Sequence, residues 1–271
     1  MKPESNFEFS NSGLIIALVV SLIAAYISQI FLSSFIVLFE IMPEDYTLKW
    51  VVNDIIVYAP ALFVTPLIMR RYSLPRESFP PSRFKWAAIV PLFTAMYSLS
   101  TVALLVSHFI ADLFTRLYGT EGLKDIFESV MPENQLQWLV ILFFVGIVAP
   151  FAEEIIFRHI LLRPLRRLGD RPAIIITALL FGAFHQNLTQ FLYAAVAGVI
   201  LGIVAVRANS VKPAIVLHIL NNTFDIGKLY LFESVEKGKI PIDGNVISAA
   251  IFLFFIAGII ITIVLIMRNR K

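Results

Sequence analysis

Long apolar runs separated by short charged connections limit this chain's fold more than any other feature. They lie near 14–39, 51–69, 86–111, 136–152, 172–184, 188–206, 213–224 and 246–267. Runs of this length and character read as membrane spans. The fifth and seventh are short for a full crossing. Backbone polar groups in lipid must be satisfied internally, so the spans are predicted to be helices. Composition agrees: of 271 residues, 58% are hydrophobic and 15% charged, and mean hydropathy is +0.82. Such values exclude a disordered chain, a nucleic-acid module and an ordinary soluble enzyme. With no cysteine, disulfides, iron–sulfur clusters and thiolate zinc sites are excluded. The pI near 9.1 reads as topology signal rather than as a mark of a polyanion partner. The first run lacks a small-residue cleavage site and reads as a span, not a cleavable signal.

Charge supports eight crossings. With the N-terminus inside, the inner segments are 1–13, 70–85, 158–171, 207–212 and 268–271, and they hold 16 of the 22 Lys and Arg. The outer segments hold Lys49, Arg116, Lys124, Lys228, Lys237 and Lys239. This is the distribution that the positive-inside rule describes. Residues 1–271 therefore read as one all-α domain, a polytopic bundle of about eight transmembrane helices around a cytosol-facing polar cavity. It belongs in the cell membrane, with both termini cytoplasmic. Between the third and fourth spans, Leu123, Ile126, Phe127 and Val130 share one helical face of Gly122–Met131. That segment is expected to lie on the membrane surface as an amphipathic helix.

Ionisable residues inside a span are costly and call for a function or a partner. Three clusters stand out. In the first, Glu153 and Glu154 are adjacent, about 100° apart around a helix. Glu154 and Arg158 are spaced i, i+4 with the acid first, which suits an ion pair. Glu153 is left with no local cation, and a desolvated carboxylate so placed suits a general base acting on water. Equally, both acids could be reaching for the inner interface beside Arg163, Arg166 and Arg167. Pro150, one turn earlier, removes a donor and is expected to kink the helix. In the second cluster Phe181 and His185 share a face, followed by Gln186 and Asn187 at a turn held within the membrane. The third places His218 and Asn222 on one face, with Asp225 further on. Imidazole and carboxamide groups there suit metal binding, water orientation or oxyanion stabilisation, or plain helix–helix hydrogen bonding.

Helical rise puts Glu153 about 25 Å below the outer start of its span, His218 about 9 Å from its inner start and His185 about 20 Å into its own. These depths predict a conical cavity entered from the cytosol with His185 at its floor. Asn53, Asp54, His108 and His159 read as structural. Ala194, Gly198 and Gly202 read as a helix-packing stripe. Neither a Gly-Xaa-Ser-Xaa-Gly elbow nor a His-Glu-Xaa-Xaa-His pair is present, which disfavours serine and thermolysin-like mechanisms.

Glu-Glu-Xaa-Xaa-Xaa-Arg at 153–158, Phe-Xaa-Xaa-Xaa-His at 181–185 and His-Xaa-Xaa-Xaa-Asn at 218–222 follow one another on separate helices. Together they resemble the CPBP intramembrane protease family of CAAX prenyl proteases and bacteriocin-processing enzymes, also called Abi. The resemblance marks 136–226 as a catalytic core. It implies a hydrolase in which Glu153 activates water, Glu154 and Arg158 support it, His185 helps hold the water, and His218 and Asn222 stabilise the oxyanion. It also implies a peptide or membrane-anchored protein substrate in a lipid setting, with no nucleic acid; the oligomeric state is left open. As cofactor it leaves zinc, held by Glu153, His185 and His218, or none. His159 stands where relatives often carry glycine, and the short spacing of the last two motifs points to the prokaryotic branch. Two other functions stay in view. One is a non-catalytic scaffold or bacteriocin-immunity protein. The other, ranked last, is a proton-relaying transporter, which should show an inverted repeat that this sequence lacks.

Overall fold

The computed structural model describes residues 11–41, 43–70, 84–118, 131–186 and 188–268. These form eight helices: α1 (Asn11–Leu38), α2 (Tyr46–Met69), α3 (Ile89–Tyr118), α4 (Gln135–Leu168), α5 (Asp170–Phe184), α6 (Leu188–Ala208), α7 (Lys212–Glu236) and α8 (Gly244–Arg268). No strand occurs among the described residues. Six helices, all but α5 and α7, are long and apolar enough to cross a membrane. The protein is a polytopic all-α membrane bundle. Its outer faces carry exposed Phe31, Val37, Phe63, Phe109 and Leu253, side chains that lipid rather than water would solvate. The surface helix expected at Gly122–Met131 falls on residues outside the described ones, apart from Met131.

Local chemistry sets the helix ends. Asp45 accepts from the Leu48 N–H at 2.9 Å to cap α2, and Asn134 accepts from the Gln137 N–H at 3.0 Å to cap α4, each satisfying an otherwise orphaned donor. Gly169, at φ +104°, breaks the chain between α4 and α5 in a backbone conformation that side chains rarely adopt. Arg166 spans that break with Nε and a terminal nitrogen at 2.6 and 3.3 Å from the two Asp170 oxygens.

Two expected spans need correction. The fourth does not stop near 152 but runs 34 residues to Leu168, because Ile156, Phe157, Leu161, Leu162 and Leu165 continue a buried face. Arg158 consequently lies inside the protein, not in an inner basic segment. The seventh runs 25 residues to Glu236 instead of ending at 224. Its polar residues are matched by each other and by partners on other helices: Lys228 donates to Asp225 at 2.8 Å, Tyr193 of α6 donates to Asp225 at 2.9 Å, and Lys228 donates to Tyr97 of α3 at 2.9 Å.

Pro150 also acts differently from a simple kink. The helix widens to π turns over Phe144–Val148, where the Ala149 N–H reaches back five residues to the Phe144 carbonyl. A second widened stretch, Ile155–Leu162, precedes Pro164. Widened turns are one way for a helix to absorb a missing donor, and they recur at functional sites.

Small residues let the helices approach. The expected stripe faces α5: a side chain at Gly198 would press on the Ala178 Cα at 3.0 Å, and one at Gly202 on Ile174 at 3.1 Å. On the far side, α8 packs on α3, where Ser98 donates to the Phe255 carbonyl at 3.0 Å. A Cβ at Gly258 would overlap both Ser98 Oγ and the Thr94 carbonyl oxygen, and that carbonyl cannot rotate away. Gly258→Val should therefore part α8 from α3 and destabilise the protein by about 1–3 kcal/mol, read as a lower Tm in detergent; an unchanged Tm would contradict this contact.

Candidate functional site

Between its two widened stretches, α4 presents the adjacent acids to the interior. Glu153, Glu154, Arg158 and His218 are 6%, 0%, 2% and 5% exposed, so all four are buried. Glu154 and Arg158 form the ion pair that their spacing predicts, with Nε 3.2 Å from Oε2. His218, from α7, sits between the two acids. Its Nδ1 is 3.0 Å from Glu154 Oε1 and its Nε2 is 3.5 Å from Glu153 Oε2. Glu154, paired with Arg158, is placed to accept the Nδ1 proton. The longer Nε2 separation lies outside the usual hydrogen-bond range. The two carboxylates, separated around the helix, thus share one ring.

Arg158 also ties in α5 and α6. One terminal nitrogen donates to the Gly198 carbonyl at 3.2 Å, a contact that the bare glycine permits. Its guanidinium carbon lies 4.8 Å from the centre of the Phe181 ring, a cation–π geometry. The Phe181 ring stands edge-on to both histidines, 5.1 Å from His185 and 5.5 Å from His218. The second motif therefore reaches the cluster through Phe181. His185 itself is half-buried, and its Nδ1 is 2.9 Å from the Phe181 carbonyl. A carbonyl only accepts, so Nδ1 carries the proton and Nε2 is left for another partner.

Asn222 is also drawn in, but toward backbone. Its amide donates to the Val145 carbonyl at 3.0 Å. In the widened register the next N–H to reach that carbonyl would come from Pro150, which has none. Asn222 thus supplies the donor that the proline removes.

Zinc does not fit this arrangement. A zinc site takes at least three protein ligands. Among the described residues no three His, Asp or Glu side chains are grouped so as to hold a metal ion. Glu153, His185 and His218 are not grouped in that way in this structure. Among the described residues both acids of the expected polar cavity are buried. A cavity of about 210 Å³ lies beside them between α1, α2, α4 and α5, and its walls, including Leu22, Val57, Ile156, Phe157 and Phe184, are mostly apolar.

Two groups at the site were not singled out from the sequence. Tyr58 on α2 donates to Glu153 Oε1 at 2.8 Å. Its only signal is a polar i, i+4 spacing with Asp54, whose Oδ2 is buried without a hydrogen-bond partner. Asn221, 2% exposed, donates to the Tyr193 hydroxyl at 2.6 Å and more weakly to Asn222 Oδ1 at 3.5 Å. This joins the cluster to the Asp225–Lys228 pair. His159 is exposed, as are Asn53 and His108. Asn187 lies outside the described residues.

An all-α membrane bundle with two acids, an imidazole and a guanidinium buried on neighbouring helices defines the class of protein. The family named Type II CAAX prenyl endopeptidase Rce1-like matches residues 135–224, so the family read from the three motifs is shown over the segment carrying α4, α5, α6 and the first half of α7. That family is a peptidase family. No curated protein and no solved structure matches the chain.

If the Arg158 pairing holds the cluster together, Arg158→Met should cost about 3–5 kcal/mol by stranding Glu154. Asn222→Leu should cost about 1–3 kcal/mol by leaving the Val145 carbonyl without a donor. Denaturant unfolding in detergent reads both, and a milder effect at Arg158 than at Asn222 would contradict the pairing.

Proposed function

We propose that the protein is an intramembrane endopeptidase of the CAAX type, hydrolysing a peptide bond near the membrane surface in a peptide or membrane-anchored protein substrate. The observation that carries this reading is His218 held between two adjacent buried carboxylates inside the segment that matches a peptidase family.

Glu153 is the general base. Its Oε2 takes a proton from water, and the hydroxide adds to the peptide carbonyl carbon. When the C–N bond breaks, the same proton passes to the departing nitrogen, leaving a carboxylic acid and an amine. Glu154, neutralised by Arg158, fixes the tautomer and tilt of His218, whose Nε2 helps hold the water. Phe181 packs between His218 and His185, and the free Nε2 of His185 offers a second contact for water. Asn222 acts on the oxyanion with whichever amide hydrogen Val145 does not take. The acids are closed over, so substrate entry requires the helices to part. The apolar cavity walled by α1, α2, α4 and α5 accounts for a lipid-embedded approach. The reading places the chain in the cell membrane with eight crossings, both termini cytoplasmic, and 136–226 as its catalytic core in the compact prokaryotic manner.

A second reading, a non-catalytic scaffold or bacteriocin-immunity protein, is favoured by one observation: both acids are buried. One variant separates the two. In vesicles with a membrane-anchored peptide library, Glu153→Gln should lower cleavage about 10²- to 10⁴-fold, the usual worth of a positioned acid–base group. Equal cleavage by both proteins would remove Glu153 from the chemistry and leave the scaffold.

A further inference from the structure

Glu153 and Glu154 are adjacent in sequence but are held differently. Glu154 has an ion pair with Arg158 and a hydrogen bond from His218. Glu153 has His218 Nε2 only at 3.5 Å, and the donor that the structure gives it is the Tyr58 hydroxyl, 2.8 Å from Oε1. A phenol has a single proton to give, and here it points across from α2 to α4. The ring that carries it is fixed. Tyr58 is 9% exposed, and its ring lies 6.1 Å from that of Phe184 on α5. Phe184 in turn stands edge-on to Phe157 at 5.5 Å. The hydroxyl is thus aimed by packing that involves three helices.

This makes the two oxygens of Glu153 unequal. Oε1 is occupied by a neutral donor. Oε2 faces His218 across a gap too long for a good hydrogen bond, so its lone pairs are the uncommitted ones. A glutamate has three side-chain torsions, and the hydrogen bond described to this carboxylate comes from Tyr58. We propose that Tyr58 is a positioning residue for Glu153: it locks Oε1 so that Oε2 is the oxygen offered to water. The inference rests on the hydrolase reading for its consequence, though not for the contact itself.

The test reads the carboxylate directly. Infrared difference spectra of the full chain in vesicles, wild type minus Glu153→Gln, isolate the Glu153 band. The same difference taken in a Tyr58→Phe background should show that band shifted. Incorporating 3,5-difluorotyrosine at position 58, which keeps the ring and makes a stronger donor, should shift it the opposite way; this covers the case in which Tyr58→Phe folds poorly. In a peptide-cleavage assay Tyr58→Phe should lower kcat about 10- to 100-fold, as loss of a hydrogen bond to a charged group predicts, with KM held. A Glu153 band that stays in place in both backgrounds overturns the proposal. So does a kcat unchanged by Tyr58→Phe in an active enzyme. A band that moves in a chain that cleaves nothing leaves the positioning intact and sinks the hydrolase reading instead.

Discussion

Charge buried at membrane depth is the constraint on which the rest of this structure depends. Two carboxylates inside a lipid-facing bundle are costly unless each is met by a donor. Here Arg158 meets Glu154, His218 lies between both acids, and Tyr58 meets Glu153. These partners come from α2, α4 and α7. Phe181 from α5 covers Arg158, and the Gly198 carbonyl of α6 accepts from it. Five helices are therefore organised around one cluster, and the small residues of α6 are needed so that it can come close enough to take part.

The path of α4 follows from the same need. Pro150, three residues before the acids, takes a donor out of the helix. Widened turns and the Asn222 amide restore the balance without breaking the rod. The acids are thereby presented in mid-helix, with Asn222 and His218 on one face of α7 serving backbone and side chains together. A motif written as His-Xaa-Xaa-Xaa-Asn is, in physical terms, a pair of clamps one helical turn apart. Asn221 extends the clamp to Tyr193 and the Asp225–Lys228 pair.

What could be read from the sequence was local. The Glu154–Arg158 spacing shows an i, i+4 pair on any helix, and the isolation of Glu153 from nearby cations is visible in the same six residues. The Ala194–Gly198–Gly202 stripe declares a packing face. What could not be read depends on partners far along the chain. Tyr58 lies 95 residues from Glu153, and no periodicity within α2 announces that contact. In sequence Asp225 and Lys228 mark an exit from the membrane that ends the seventh span early, whereas in the fold Tyr193 and Tyr97 satisfy them. Arg158 was placed at an interface because cations at the end of an apolar run usually are, whereas Phe157 and Leu161 carry the buried face past it. The zinc set depends on partners across helices in the same way: sequence order suggests three candidate ligands, whereas among the described residues no three His, Asp or Glu side chains are grouped to hold a metal ion.

The central claim is that His218 sits between the two acids, with Nδ1 donating to Glu154 and Nε2 facing Glu153. Its most direct measurement is nitrogen-15 NMR of the histidine rings in the full chain, labelled at histidine and held in lipid nanodiscs. The chain has 4 histidines, so His218→Gln assigns the relevant signal by its loss. The account predicts that Glu154→Gln shifts the His218 Nδ1 resonance strongly and that Glu153→Gln shifts chiefly Nε2, with His108 and His159 unmoved. A His218 ring indifferent to both substitutions would contradict it.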